Sequence, residues 1–300
     1  MDIAHLLQTG LLPARGRRPL LLGLLGGLGM LVGCSPARLL DAVTPEGSYG
    51  LERDIAYGEH PRQRLDVYRP QVGGNGHVVV FFYGGSWRSG DRSGYRFVGE
   101  QLTRHGITVV VPDYHLHPEV TFPAFVEDGA QALRWVQANL AVKGLAASGG
   151  TRVFVMGHSA GAHIAALLAL DSRYQVKESL AGLVGISGPY DFLPMTSPRT
   201  RAVFGGLADD PLTQPISFAG ADAPPALLIH GATDRIVYPR NSEHLAAALR
   251  RVGVPARLTL YPDRGHADIM LGLSSALDSD GRLMSDLLGF LRDPTIVPGG

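Results

Sequence analysis

One cysteine in 300 residues excludes an internal disulfide and any zinc site built on thiolates. An excess of either charge is missing too. Lys+Arg and Asp+Glu are 27 each, so the clustered cationic surface that binds a phosphate backbone is not expected, and nucleic acid is not an expected partner. Disorder is excluded by the 45% hydrophobic share, which is that of an ordinary globular chain. What is plentiful is glycine, 39 residues, with 21 prolines, which points to many tight turns.

The first 33 residues read as a leader rather than as part of the fold. Arg15, Arg17 and Arg18 precede the uncharged run Leu20–Gly33, which suits a secretory core and is short of the ~17–25 residues of a membrane span. The run ends in Leu31-Val32-Gly33-Cys34, which resembles a bacterial lipobox with Cys34 as the lipidated first residue of the mature protein. Arg17-Arg18 also resembles a twin-arginine export signal. The expected organisation is a lipoprotein signal peptide over 1–33, a tether over 34–50, one folded domain over 51–293 and a tail over 294–300. The expected location is the bacterial cell envelope, at the periplasmic or outer-membrane face, with membrane contact through the lipid alone.

After the tether, strands and helices alternate. Leu65–Tyr68 alternates apolar and polar, as in a half-buried strand. Val78–Phe82, Ile107–Val111 and Val153–Met156 are continuous apolar runs of the kind found in strands buried on both faces. Leu183–Ile186, Ala226–Ile229 and Leu258–Tyr261 are further strand candidates. Helical spacing runs from Phe122 to Leu140. Helices are also expected over Ala160–Leu170, over Arg240–Arg251 with Gly253 ending it, and over Ser285–Leu291. This order predicts βαβ units, hence an α/β fold with a mostly parallel sheet flanked by helices. Asp191–Asp222 shows no clear period, and a loop of that length in a compact domain is usually functional.

Gly157-His158-Ser159-Ala160-Gly161 joins a strand to a helix, the setting in which G-x-S-x-G forms a nucleophile elbow. The turn is sharp enough to force Ser159 into a strained conformation with its Oγ held above the sheet. The helix N-terminus aims free N–H groups, Ala160's among them, at a developing oxyanion. His158 and His163 flank Ser159 but are expected to be packing residues.

Four segments together resemble the α/β-hydrolase superfamily, in particular its hormone-sensitive-lipase-like and kynurenine-formamidase-like esterases. Tyr83-Gly84-Gly85-Ser86-Trp87 resembles the HGGxW oxyanion loop, and Pro112–Glu119 the DYRLxPE segment. Phe122-Pro123-Ala124 with Asp128 and Trp135 resembles the FPAxxxD…W helix, and Gly157–Ala162 the GxSAGA elbow. Tyr83 and His115 depart from the pattern at positions that support loops. The resemblance implies an α/β-hydrolase fold and an oxyanion hole made by Gly84, Gly85, Ser86 and Ala160.

A serine needs a base beside it, and in this fold the chain order is Ser, acid, His. Asp234, in Gly231–Pro239, resembles the superfamily's GxxDxxVP acid loop, and His266, in Asp263-Arg264-Gly265-His266, its histidine loop. Asp191 competes with Asp234 because it too follows a strand. His230 is expected to be structural. His115 and His117 have the spacing of a metal pair but lack a carboxylate-rich partner, so no metal and no cofactor is expected. The expected function is that of a serine carboxylic ester hydrolase acting on a small or short-acyl ester. An arylformamidase is the enzymatic alternative, and a non-catalytic binding protein the alternative of another class.

Overall fold

The computed structural model describes residues 40–141, 145, 150–278 and 280–296. Cys34 and the leader lie outside the described residues, as does most of the tail. Among the described residues an eight-stranded sheet runs in the order β1-β2-β4-β3-β5-β6-β7-β8. The strands are β1 (Tyr49–Ala56), β2 (Arg64–Pro70), β3 (His77–Phe82), β4 (Thr108–Pro112), β5 (Arg152–His158), β6 (Leu180–Ile186), β7 (Ala226–Gly231) and β8 (Ala256–Tyr261). β1–β2 and β2–β4 pair antiparallel; every later pairing is parallel. This is the expected α/β-hydrolase architecture.

The central strands carry the side chains that a two-sided sheet demands. Val78–Phe82, Val109–Val111, Phe154–Met156 and Leu227–Ile229 are fully buried. Helices α1 (Arg96–Thr103), α2 (Ala124–Asn139), α3 (Ala160–Leu170), α4 (Pro198–Phe204), α5 (Arg240–Arg251) and α6 (Arg282–Arg292) complete the fold. α3 is buried along its whole length, as its Ala/Leu composition requires, because only small side chains let a helix lie close against a sheet. α5 has the opposite character: it buries Leu245, Ala246 and Leu249 and turns its charged residues outward.

Three local outcomes differ from the sequence reading. Asp66, the polar member of the β2 alternation, is buried rather than solvated, because it accepts a hydrogen bond from Arg92 Nε at 2.8 Å and from the Asp54 N–H at 2.9 Å. Residues 40–50, read as the distal part of a tether, pack on the domain. Leu40 and Thr44 are buried, and Asp41 accepts the Arg96 N–H at 2.9 Å. The period-free stretch 191–222 is built from α4 and short 3₁₀ turns over Gly205–Leu207, Pro211–Thr213 and Pro215–Phe218. It is anchored by the buried Met195, Val203 and Phe204.

The parallel register aligns the strand ends. Phe82 lies opposite Gly157, His158 opposite Ile186, and Gly231 opposite Tyr261. The loops that follow β3, β5, β7 and β8 therefore emerge along one edge of the sheet, at the carboxyl ends of the strands, where sites in open α/β sheets form.

Candidate active site

Ser159 sits between β5 and α3 with φ 54° and ψ −122°. No residue with a Cβ adopts this conformation without cost, on the order of 1–3 kcal/mol. The surroundings enforce it. The Ser159 N–H donates to Ile186 O at 2.9 Å, and its carbonyl accepts the N–H of Ala162 at 2.9 Å. Both elbow glycines are obligatory: a Cβ on Gly157 would lie 2.3 Å from Gly161 O, and one on Gly161 would lie 2.1 Å from Phe82 O.

The hydroxyl this turn presents is 2.9 Å from His266 Nε2, and His266 Nδ1 is 2.7 Å from Asp234 Oδ2. The assignment of protons follows. An ionised carboxylate can only accept, so Nδ1–H donates to Asp234 and Nε2 is left free to accept from Ser159. Burial alone pushes the Asp234 carboxyl up. Hydrogen bonds from His230 and His266, the field of the imidazole and the Val237 N–H outweigh it and hold the group well below the usual carboxylate range.

Two further histidines explain why this chain is rigid. His230, read as structural, is fully buried beneath the acid. Its Nε2 lies 2.8 Å from Val237 O and 3.3 Å from Asp234 Oδ2, so that nitrogen carries the proton; Nδ1 then accepts from Ser242 Oγ at 2.7 Å. Asp234 Oδ1 meanwhile takes the N–H groups of Ile236 and Val237, each at 2.9 Å. His158 Nε2–H donates to the carbonyl of His266 itself at 3.0 Å, which fixes the loop carrying the imidazole. Sequence order does reveal the three-residue chain. The supports depend on which buried groups meet across the fold, and only the i, i+4 spacing of His230 and Asp234 hinted at one of them. Asp191, the competing acid, is bonded to His244 Nδ1 at 2.6 Å and is not joined to His266.

Burial, with the positive field of His266, holds the His158 ring down to about 3, and burial holds that of His163 down to about 4. An unfolded histidine titrates near ~6.5, so below that pH the unfolded chain takes up protons which the native state refuses. The stabilising contribution is therefore complete above ~6.5 and is lost as pH falls toward 4 and then 3. Urea unfolding at pH 7 and at pH 4.5 should show a loss of about 1.4 kcal/mol per pH unit for each of the two groups. A midpoint unchanged across that range would overturn the assignment.

The loop after β3 faces Ser159. Gly84 lies so close that a Cβ there would be 3.1 Å from Ser159 Cβ. Ser86 and Trp87 both have positive φ, 54° and 57°, a tight turn closed by the N–H groups of Arg88 and Ser89 on Gly85 O. Trp87 plants the turn in a cluster with Phe125, His163, Phe192 and Phe204, at centroid separations of 5.1–6.3 Å. Tyr83 stacks on Tyr95 and Tyr114 and donates to Asp113 Oδ1 at 2.7 Å. It is a loop support, as its position implied. Among the described residues, no acceptor takes the N–H of Gly85, Ser86 or Ala160. These free donors beside the hydroxyl are what an oxyanion would require.

A cavity of about 450 Å³ opens over Ser159 and Ala160. Its far wall is the 192–203 segment and its rim includes Ile236 and Tyr238. His115 and His117 have the spacing of a pair but are not grouped in space. His117 is separate, while His115 lies beside His60 and Glu119. One ligand atom each of His60, His115 and Glu119 lies within 4.8 Å of the others, and the His60 and His115 rings stack 3.9 Å apart at 33°. His115 Nδ1 and its backbone N–H are both committed to Asp128 Oδ2, at 2.6 and 2.7 Å.

The profile of the BD-FAE family matches residues 65–249. The chain belongs to the BD-FAE family. Among curated relatives, it is 32% identical over 251 residues to isoprenylcysteine alpha-carbonyl methylesterase ICME of Arabidopsis thaliana, covering 74% of this chain and 57% of that one. It is 30% identical over 233 residues to Esterase LipC of Mycobacterium tuberculosis, covering 68% and 56%. The chain thus spans just over half the length of these relatives. Among solved structures, esterase B from Lactobacillus rhamnosis superposes with a TM-score of 0.72 at 19% identity, covering 94% of this chain and 96% of that one. A truncated carbohydrate esterase from gut microbiota gives 0.70 at 21%, covering 84% and 99%. At these identities the superpositions speak for the fold. The names of the sequence relatives support ester hydrolysis as the reaction class.

Proposed function

We propose that this BD-FAE family member is a serine carboxylic ester hydrolase, of the hormone-sensitive-lipase-like and kynurenine-formamidase-like kind, which cleaves small or short-acyl esters through an acyl-enzyme. The observation that carries the reading is the unbroken hydrogen-bond chain from Ser159 Oγ through His266 to Asp234 Oδ2, beneath a cavity with free backbone donors. His266 Nε2 takes the Ser159 proton as Oγ attacks the ester carbonyl. The N–H groups of Gly85, Ser86 and Ala160 hold the oxyanion, with Gly84 letting the loop approach. The alcohol leaves with the proton that His266 returns. Water, deprotonated in turn by His266, then releases the acid. Every step is supplied by the chain's own groups. The cavity's modest volume and the aromatic wall behind it suit a short acyl group.

An arylformamidase would have to hold an amino-acid zwitterion, and among the described residues no carboxylate lines the cavity to meet its ammonium. A fluorophosphonate probe tests the reading: it should label Ser159 and no other residue. An unlabelled protein would favour a non-catalytic binding role.

For location, we propose a lipid anchor at Cys34 after removal of residues 1–33, at the bacterial envelope. Among the described residues no helix is long and apolar enough to cross a membrane. Intact-mass measurement of the membrane fraction should find a diacylated or triacylated chain beginning at Cys34, and Cys34→Ser should abolish processing. An unprocessed Met1 terminus in the cytosol would overturn the proposal.

A further inference from the structure

We propose that the substrate carries an anionic group, a carboxylate or a phosphate, and that Arg88, Arg199 and Arg240 bind it. This rests on the esterase reading above and narrows its substrate class. All three arginines line the cavity over Ser159, and among the described residues no aspartate or glutamate does. Guanidinium groups stay charged at any working pH, so the cavity wall carries three fixed positive charges in a chain whose overall charge is zero.

None of the three is neutralised within the fold: among the described residues, no carboxylate pairs with Arg88, Arg199 or Arg240. The contrast with their neighbours is informative. Arg201, two residues after Arg199 on α4, is clamped by Asp209 through two bonds of 2.6 and 2.7 Å. Asp191, the carboxylate nearest in sequence to the cavity wall, is committed to His244. Arg240 lies over the Tyr238 ring at 5.3 Å, which holds its guanidinium at the rim.

The three charges arrive from separate segments: the turn after β3, helix α4 and the start of α5. Like charges gathered around one concave, partly apolar cavity repel one another and focus a positive potential into it. A bound anion relieves that repulsion with charge-assisted, often bidentate hydrogen bonds. Arg88 follows the proposed oxyanion donors Gly85 and Ser86 within three residues, so the anion would sit close to the reacting carbonyl.

The test uses matched esters and the full chain. On the alcohol side, 4-acetoxybenzoate and 4-acetoxyphenyl phosphate are compared with the neutral methyl 4-acetoxybenzoate. On the acyl side, the 4-nitrophenyl monoester of adipate is compared with 4-nitrophenyl hexanoate. The expected result is a kcat/KM ratio of at least about tenfold in favour of the anionic member on one side, collapsing as salt screens the charges. The carboxylate and phosphate arms distinguish the two sources of the anion. Arg88→Gln, Arg199→Gln and Arg240→Gln should each lower that ratio severalfold, mainly through KM. A chain that hydrolyses the neutral esters as fast as the anionic ones, with ratios indifferent to the three substitutions, overturns this inference and leaves the esterase reading standing. A chain that hydrolyses none of them, and whose Ser159 resists the fluorophosphonate, overturns both.

Discussion

Ser159→Ala is expected to lower kcat by about 10⁶-fold, the loss seen when a serine hydrolase gives up its nucleophile. Ser86 also lines the cavity, but among the described residues no imidazole is bonded to its hydroxyl, so no base is placed to activate it. What survives should be the residual rate that oriented donors provide without a nucleophile. The fold should be unchanged. Among the described residues the Ser159 hydroxyl is bonded to His266 alone, and alanine keeps the Cβ and with it the strain at φ 54°. Thermal unfolding of the variant alongside ester turnover separates the two effects. Retention of a tenth of wild-type activity would remove Ser159 from the mechanism.

Asp234→Asn should cost about 10⁴ in kcat. Oδ1 accepts two backbone N–H groups, from Ile236 and Val237, so the amide oxygen of asparagine is held at that position. Its NH₂ then faces His266 Nδ1 and His230 Nε2. A donor opposite Nδ1 forces His266 into the tautomer with its proton on Nε2, where it can no longer accept from Ser159. Asp191→Asn removes only a partly exposed contact with His244 and should change kcat by no more than about threefold, in keeping with the small worth of exposed pairs. The reverse order of effects would make Asp191 the acid. Pre-steady-state turnover of an activated ester decides between them, because it reads acylation directly.

The parts of this molecule that the sequence made legible are those in which one local constraint dominates. Val78–Phe82 and Val153–Met156 read as buried strands because nothing but a two-sided core accommodates such runs. The elbow was readable because its geometry tolerates only glycine at 157 and 161. The proposed acid and base, Asp234 and His266, follow from chain order along the sheet edge. β1 escaped notice because Tyr49–Ala56 carries Glu52, Arg53 and Asp54 and owes its strand state to pairing with β2 at the sheet edge. α1 escaped because Arg96–Thr103 has no side-chain cap and begins directly after a 3₁₀ turn. α4 and its neighbouring turns are held by tertiary burial of Val203 and Phe204, which no local period announces. His230 under Asp234, and three arginines 41 to 152 positions apart, acquire their meaning only once the chain brings them together.

The docked segment at the start of the described chain sets a length scale. Leu40 is buried and Asp41 is held by Arg96, so the chain is docked on the domain by residue 40. With the proposed acyl chains on Cys34, at most five residues, 35–39, would separate the lipidated cysteine from the docked Leu40. Fully extended, the six Cα steps from Cys34 to Leu40 reach about 20 Å. Such a leash would keep the enzyme grazing the bilayer, sampling solutes of the headgroup layer rather than sweeping the compartment. There a cationic mouth would meet anionic amphiphiles at surface concentrations far above those in bulk solution.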